Sequence, residues 1–488
     1  MIELPRDLTT QTGVGSAGAG DIDFTAANLA ASTTAGDLIV QTTGSTNVTG
    51  LTVGSGTGTL ALDVGGNLTV SGAVTQAGAG PLTLTAGATL TGNGTITTGS
   101  GAMTLTAGST LTTGAVQATA GGTLNLTSNG GSVSVSSAST AGAMNFSAAG
   151  TLSTGPLSGG AGTITLTAGA GINTGTVATG GGGITLTTSG AITTGALSSG
   201  SGNISANSYA GSVSIGSAST AGALTFNAAG AITTGALTGG AGAVNLTAGS
   251  TLTITGPVST GTGAITLNAP GTVTTAALTS ASGGAITVTS TTGSINAGAI
   301  TTTGAITLNA AGTLQLAAIT GGANNLSLTG GAGGILTAGD ISTTSGNITL
   351  SSVAALTVDR LTTTTGAITV TSTGGGITMA SAAAVFATDS GAITLEAQGD
   401  IRLASLNSPS GQVSVTSHNG SILRASGYAG TNITAGLAPQ LRVETAGHSI
   451  DLTVLSDSVL ATGPVAGNLQ TQTIFRRTSS VIALYLLY

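Results

Sequence analysis

Cysteine, tryptophan and lysine are absent from this chain of 488 residues, and aromatic residues make up 2% of it. Without cysteine there is no disulfide framework and no thiolate to act as nucleophile or metal ligand. That absence fits a bacterial protein exported unfolded, and it fits a cytosolic one equally. Charge is almost as scarce: 4% of residues are charged, against about 25% in an ordinary soluble domain. From Val64 to Gly339 there is no charged residue at all. The net charge of −7 is thinly spread, which excludes the basic footprint of a nucleic-acid-binding protein and gives little steering toward any charged partner. No apolar run reaches the length of about 18 residues that a membrane-spanning helix needs, so no membrane span is predicted. Met1–Thr10 is charged and carries no apolar stretch, so no export leader is read there. Secretion would then imply a leader already removed or a longer parent chain.

The chain is rich in glycine, with 84 residues, and in Thr, Ala and Ser. Hydrophobic residues reach 40%, too many for a disordered Gly/Ser linker, which lacks the apolar surface to offset ordering entropy. The chain can bury a core, though a thin one.

A repeat decides the fold. Two apolar residues flanking one polar residue recur at Leu82/Leu84, Met103/Leu105, Leu124/Leu126, Met144/Phe146, Ile164/Leu166, Ile184/Leu186, Leu224/Phe226 and Val244/Leu246. They continue from Ile265/Leu267 to Val413/Val415, with weaker copies at Ile22/Phe24, Leu38/Val40 and Leu60/Leu62. The steps are mostly 20 or 21 residues, and Ile204/Ala206 fills the one gap. Residues 131–169 match 211–249 at 26 of 39 positions, an offset of four repeats and the mark of internal duplication.

Within one repeat, Ile184–Thr187 alternates apolar and polar residues as a half-buried strand does, Ser189-Gly190 punctuates it, Ala191–Thr193 reads as a second strand, Gly195 turns the chain, and Ala196–Ser198 reads as a third. Glycine is expected at the corners because some of them need positive φ. β-Branched Thr, Ile and Val suit the faces. The predicted fold is all-β: a right-handed parallel β-helix of about 20–21 coils of roughly 20 residues, three short strands per coil, in a rod on the order of 100 Å long at the usual strand spacing. One coil buries too few aliphatic side chains to offset the ordering of its backbone, so coils must stack. The alternative, an antiparallel sandwich or barrel of short strands, does not account for a regular repeat of three unequal strands. A helical solenoid is excluded by the Gly and Thr content.

Charges gather at the ends, as the polar caps of a solenoid should. Residues 1–36 are read as an irregular N-terminal coil or cap, 37–432 as the regular shaft, and 433–488 as divergent C-terminal coils and tail. The final residues, Ile474-Phe475-Arg476-Arg477 and Val481–Tyr488, break the composition. One reading is a last capping strand. A second is a strand that joins rods end to end by β-augmentation, through Ile474, Phe475, Val481, Leu484, Tyr485, Leu487 and Tyr488, and a third is a secretion signal.

Nothing in the sequence is read as catalytic, cofactor-binding or metal-binding. His418 and His448 are the only histidines, and both are expected to be exposed polar residues. Many parallel β-helices resemble pectate-lyase-type enzymes, which cluster Asp, Arg or Lys on one groove, but the coils that would form such a groove here carry no charged group. Asp359-Arg360 is read as a surface ion pair. Asp21 and Asp23 are too few ligands for calcium. Asn-X-Ser/Thr triplets such as those at Asn67, Asn125 and Asn347 are expected by chance. Phe146 and Phe226 are read as core.

One surface pattern goes beyond composition. Outward positions of the first strand form a ladder, with Thr83 and Thr85, Thr104 and Thr106, Thr165 and Thr167, and Thr185 and Thr187. Such TxT arrays resemble those of β-helical ice-binding proteins. The plainer account is that Thr is a favourable exposed strand residue.

The coil of about 20 residues, the phrase G-x-I/L-T-L-T/N-A-G and the lack of cysteine resemble the repeats of filamentous-haemagglutinin-type bacterial surface proteins, over roughly residues 20–430. The Asn-Pro motifs of that family's amino-terminal secretion domain do not occur here, so the resemblance implies the repetitive shaft alone. It implies an extracellular, non-catalytic structural rod at the bacterial cell surface, the subunit of a filament or the shaft of an adhesin. Its partners would be further copies joined end to end, or a host or biofilm surface. The alternative function is binding to ice or a carbohydrate surface through the Thr ladder.

Overall fold

The computed structural model describes residues 28–33, 37–54, 56–337, 339–380, 384–436, 440–443, 448, 450–455, 460–462 and 473–474. Every regular element among them is a strand, and strands of successive coils pair in parallel. The fold is a parallel β-helix of about 18 turns, with coils some 21 residues apart. The chain divides into two units, Met1–Gly239 and Gly240–Tyr488.

In the first unit, each coil opens with a five-residue strand, from Leu38–Thr42 through Ile184–Thr188 to Leu224–Ala228. Positions one, three and five point inward and are buried; two and four point outward. The pairing is in register, so like stacks on like. Leu82 lies on Met103, then Leu124, Met144, Ile164, Ile184, Ile204 and Leu224. All eight are fully buried. Phe226 pairs with Ala206, a large side chain beside a small one, which keeps the filled volume roughly constant.

The sequence predicts separate second and third strands around Gly195. In the structure they form one strand, Ala191–Ser199. Its burial alternates except at Gly195 and Ala196, two successive residues that are not buried between inward Thr194 and Leu197. One extra residue breaks the period of two and bends the strand round the corner, as a β-bulge does. Leu111–Ala118, Val133–Thr140 and Val213–Thr220 bend in the same way.

Glycine at the corners mostly serves a purpose other than the one expected. Among the described glycines, positive φ occurs at few positions, such as Gly121 (φ 94°) and Gly283 (φ 80°). At many of the others the backbones of successive coils approach too closely for a side chain. A Cβ on Gly182 would collide with the carbonyl of Gly162, and one on Gly202 with that of Gly182. Each glycine makes room for the next.

Beside these glycines stands a row of buried hydroxyls. The Thr179 hydroxyl donates to the Gly182 carbonyl at 2.5 Å, and Ser199 donates to the same oxygen at 2.8 Å while accepting from the Gly202 amide at 2.9 Å. Gln76 takes this place in an earlier coil, donating to Gly58 O and accepting from Gly78 N. A second row follows the first strand: Ser208 donates to Gly190 O at 2.6 Å and accepts from Gly211 N at 3.0 Å. A tight corner leaves backbone groups without a ladder partner, and burying them unpaired is costly. Hydroxyls carried on Cβ, close to the backbone, supply the partner.

The second unit repeats this plan from Val244–Ala248 to Val413–Ser417, with Gln440–Val443 and Leu460–Thr462 continuing the series of first strands. Its corners carry the same devices: Thr388 donates to Gly366 O at 3.0 Å, and Ser408 to Gly391 O at 2.7 Å. Phe386 fills a long coil, between Leu361 and Leu406. Past the predicted shaft boundary, Ile433–Ala435 pairs with Leu406–Ser408, and buried Asn432 donates to the carbonyls of Leu403 and Ala404 at 2.8 and 2.9 Å.

These observations give three expected outcomes, all read by chemical denaturation. Leu186→Asp buries an unpaired carboxylate and costs about 4 kcal/mol or more. Gly391→Ala, whose Cβ would meet the Gly366 carbonyl, destabilises strongly, while Gly44→Ala, with nothing near its Cβ, changes stability by less than about 0.5 kcal/mol. Ser408→Ala leaves the Gly391 carbonyl without that donor and costs about 1–3 kcal/mol.

Candidate functional site

The first-strand face of the first unit is the most regular surface described. Its strands are the longest that recur in every coil, and their register places outward residues in two straight columns. Thr83 stands over Thr104 and Thr85 over Thr106; Thr165 stands over Thr185 and Thr167 over Thr187. The structure therefore brings the sequence-predicted threonines together as two blocks on one face. Between the blocks the first column holds Asn125 and Asn145, and the second holds Thr127 and Ser147. The second column is thus an unbroken run of hydroxyls from Thr85 to Thr187.

The asparagines continue the ladder. Asn145 donates its amide to Asn125 at 3.0 Å, and Asn227 donates to Asn207 at 2.8 Å. Most ladder side chains are only half exposed, because the coils above and below cover their flanks. Strand spacing sets the rungs about 4.8 Å apart. The result is a regular array of uncharged donors and acceptors, which can hold ordered water or meet another polar surface.

A shallow, open recess of about 310 Å3 lies on the third-strand side, with Gln117, Thr119, Ser139 and Ser158 in its lining and no charged group. It holds nothing that could move a proton.

The charged groups described lie mostly in the second unit. Arg360 reaches Asp340 at 3.8 Å and Arg402 reaches Asp400 at 3.2 Å. The Asp359 amide is held by the Thr337 hydroxyl at 3.1 Å. His418, expected to be an exposed polar residue, instead contacts Glu396 through Nε2 at 2.8 Å, with its side chain 25% exposed. The two are 22 residues apart, one coil, a distance at which no local motif signals a pair. Asp400 also accepts from the Ser421 amide at 2.9 Å. Among the described residues no three His, Asp or Glu side chains gather as a metal site would require, and no helix is long and apolar enough to cross a membrane.

Sequon asparagines are engaged in the coil-to-coil ladder: Asn67 accepts from the Thr89 amide at 3.1 Å and Asn347 from the Ala367 amide at 2.9 Å. Phe146 and Phe226 lie in the core. Of the proposed assembly residues, Ile474 belongs to the short strand Thr473–Ile474, which pairs with Thr453–Val454. Phe475, Val481, Leu484, Tyr485, Leu487 and Tyr488 lie outside the described residues, as do Asp21 and Asp23.

No family model matches the chain, and neither a curated protein nor a solved structure does.

The Glu396–His418 contact is half open to solvent, so Glu396→Gln is expected to cost less than about 1 kcal/mol. Urea denaturation in low and high salt checks this; a larger, salt-insensitive loss would mean that the contact is screened from water.

Proposed function

We propose that the chain is a structural rod working outside the cell, either the subunit of a bacterial surface filament or the shaft of an adhesin, and that it performs no catalysis. The observation that carries this reading is the in-register stacking of coils whose outward faces, from Val64 to Gly339, bear no charge. Within each unit such coils offer a regular surface, and the stretch lacks the Asp, Glu, His, Lys and Cys side chains that most acid–base or nucleophilic chemistry uses. Several of the charged groups described sit in simple pairs, Arg360 with Asp340 and Arg402 with Asp400, as structural ion pairs do. The likeness of the coil to filamentous-haemagglutinin-type repeats supports a place at the cell surface. Scarcity of basic residues is also useful there, because trypsin-type proteases find no cleavage site between Arg6 and Arg360.

Electron microscopy of the full chain and of a form lacking residues 474–488 tests the reading. Filaments of one rod's width that vanish on truncation are expected of a polymerising subunit. Isolated rods in both samples would leave the adhesin shaft and remove the end joint. Compact particles in both would overturn the rod.

A further inference from the structure

We propose that the first-strand face of the first unit, from Leu38–Thr42 to Leu224–Ala228, is a lateral contact surface that seats the same face of a second copy of this chain. The inference rests on the rod reading, but it uses the side of the coils and not the tail.

Three observations carry it. The first is what the face lacks. From Thr83 to Asn227 its outward residues are Thr, Ser and Asn alone, and Asp63 is the face's single charged residue, near one end. Soluble surfaces are kept apart by charged residues, about 25–35% of the surface, and loss of that charge promotes association. Charge is likewise depleted at the centres of protein interfaces.

The second is self-complementarity. A hydroxyl and a carboxamide each donate and accept, so every rung can pair with a copy of itself across an isologous contact. A face of one charge would repel its own copy, and this uncharged one does not select a charged partner. The side chains are already held: Thr is stiff at χ1, and the Asn145–Asn125 and Asn227–Asn207 bonds fix the amides. Little side-chain entropy remains to be lost on contact.

The third is size. Ten strands of five residues cover about 700 Å2 at the usual rise and strand spacing, close to the roughly 800 Å2 per partner of a stable interface. Ile39, 50% exposed, adds an apolar contact at the Asp63 end.

Small-angle scattering and sedimentation velocity on the full chain, over a range of micromolar concentrations, test the proposal. Lateral pairing doubles the mass per unit length, whereas end-to-end joining leaves it unchanged, so failure of this proposal and failure of the filament reading are separately visible. The expected result is a doubled mass per length that halves in the variant Thr106→Lys, Thr167→Lys, Thr187→Lys, with an unchanged circular dichroism spectrum. A control with Thr193→Lys and Thr233→Lys, on the second strands, keeps the doubling. A single-chain mass per length for the unmodified protein at every concentration overturns the proposal whether or not any variant folds. So does a single-chain protein that shapes ice crystals or binds an insoluble polysaccharide, which would assign the face to that surface instead.

Discussion

Backbone pairing between successive coils is the constraint from which the rest of each unit follows. A coil of about twenty residues has an interior only a few side chains wide, and its own apolar burial does not offset the ordering of its backbone. It persists because its amides and carbonyls meet those of the coil above and the coil below. That requirement forces the register seen between Ile184 and Ile164 on one side and Ile204 on the other. Once register is fixed, every position acquires a column, and each column tolerates a narrow set of residues. The first two inward columns of the first strands take mostly Leu, Ile, Val and Met, with Phe146 between Leu126 and Leu166 and Phe226 beside Ala206.

The corners show how strict this is. Coils stacked at strand spacing bring Gly162, Gly182 and Gly202 so near one another that no Cβ fits between them. The same turning of the chain takes carbonyls and amides out of the ladder. Thr179 and Ser199 restore the missing bonds from the inside. A hydroxyl buried there is not a weakness in the core, since it carries both a donor and an acceptor for the backbone beside it. The high Thr, Ser and Gly content of the chain therefore has two structural origins, at the outward rungs and at the corners.

A stack of this kind repeats whatever its outer columns present. In the first unit they present hydroxyls and amides, and in the second they add pairs such as Arg360–Asp340 and Glu396–His418. Repetition favours contact with another repeating surface, and this links the proposed rod to a face suited to a second copy.

Much of this was legible in the sequence. Alternation in Ile184–Thr188 and its recurrence every twenty or so residues fix the strand, the inward and outward sets and the parallel stacking, because both periods are local properties of the chain. The Thr ladder was legible for the same reason: once the coil length is known, Thr165 and Thr185 must be neighbours. What only the tertiary structure decided concerns residues whose partners lie one coil away at positions no period marks. It joined His418 to Glu396, and it fused Ala191–Ser199 into one bent strand. It also gave Gly182 a steric reason in place of a conformational one and buried the Ser199 hydroxyl against the Gly182 carbonyl. Each of these depends on how closely two particular corners approach in space, and that distance is set by the stacked backbones and not by any stretch of sequence.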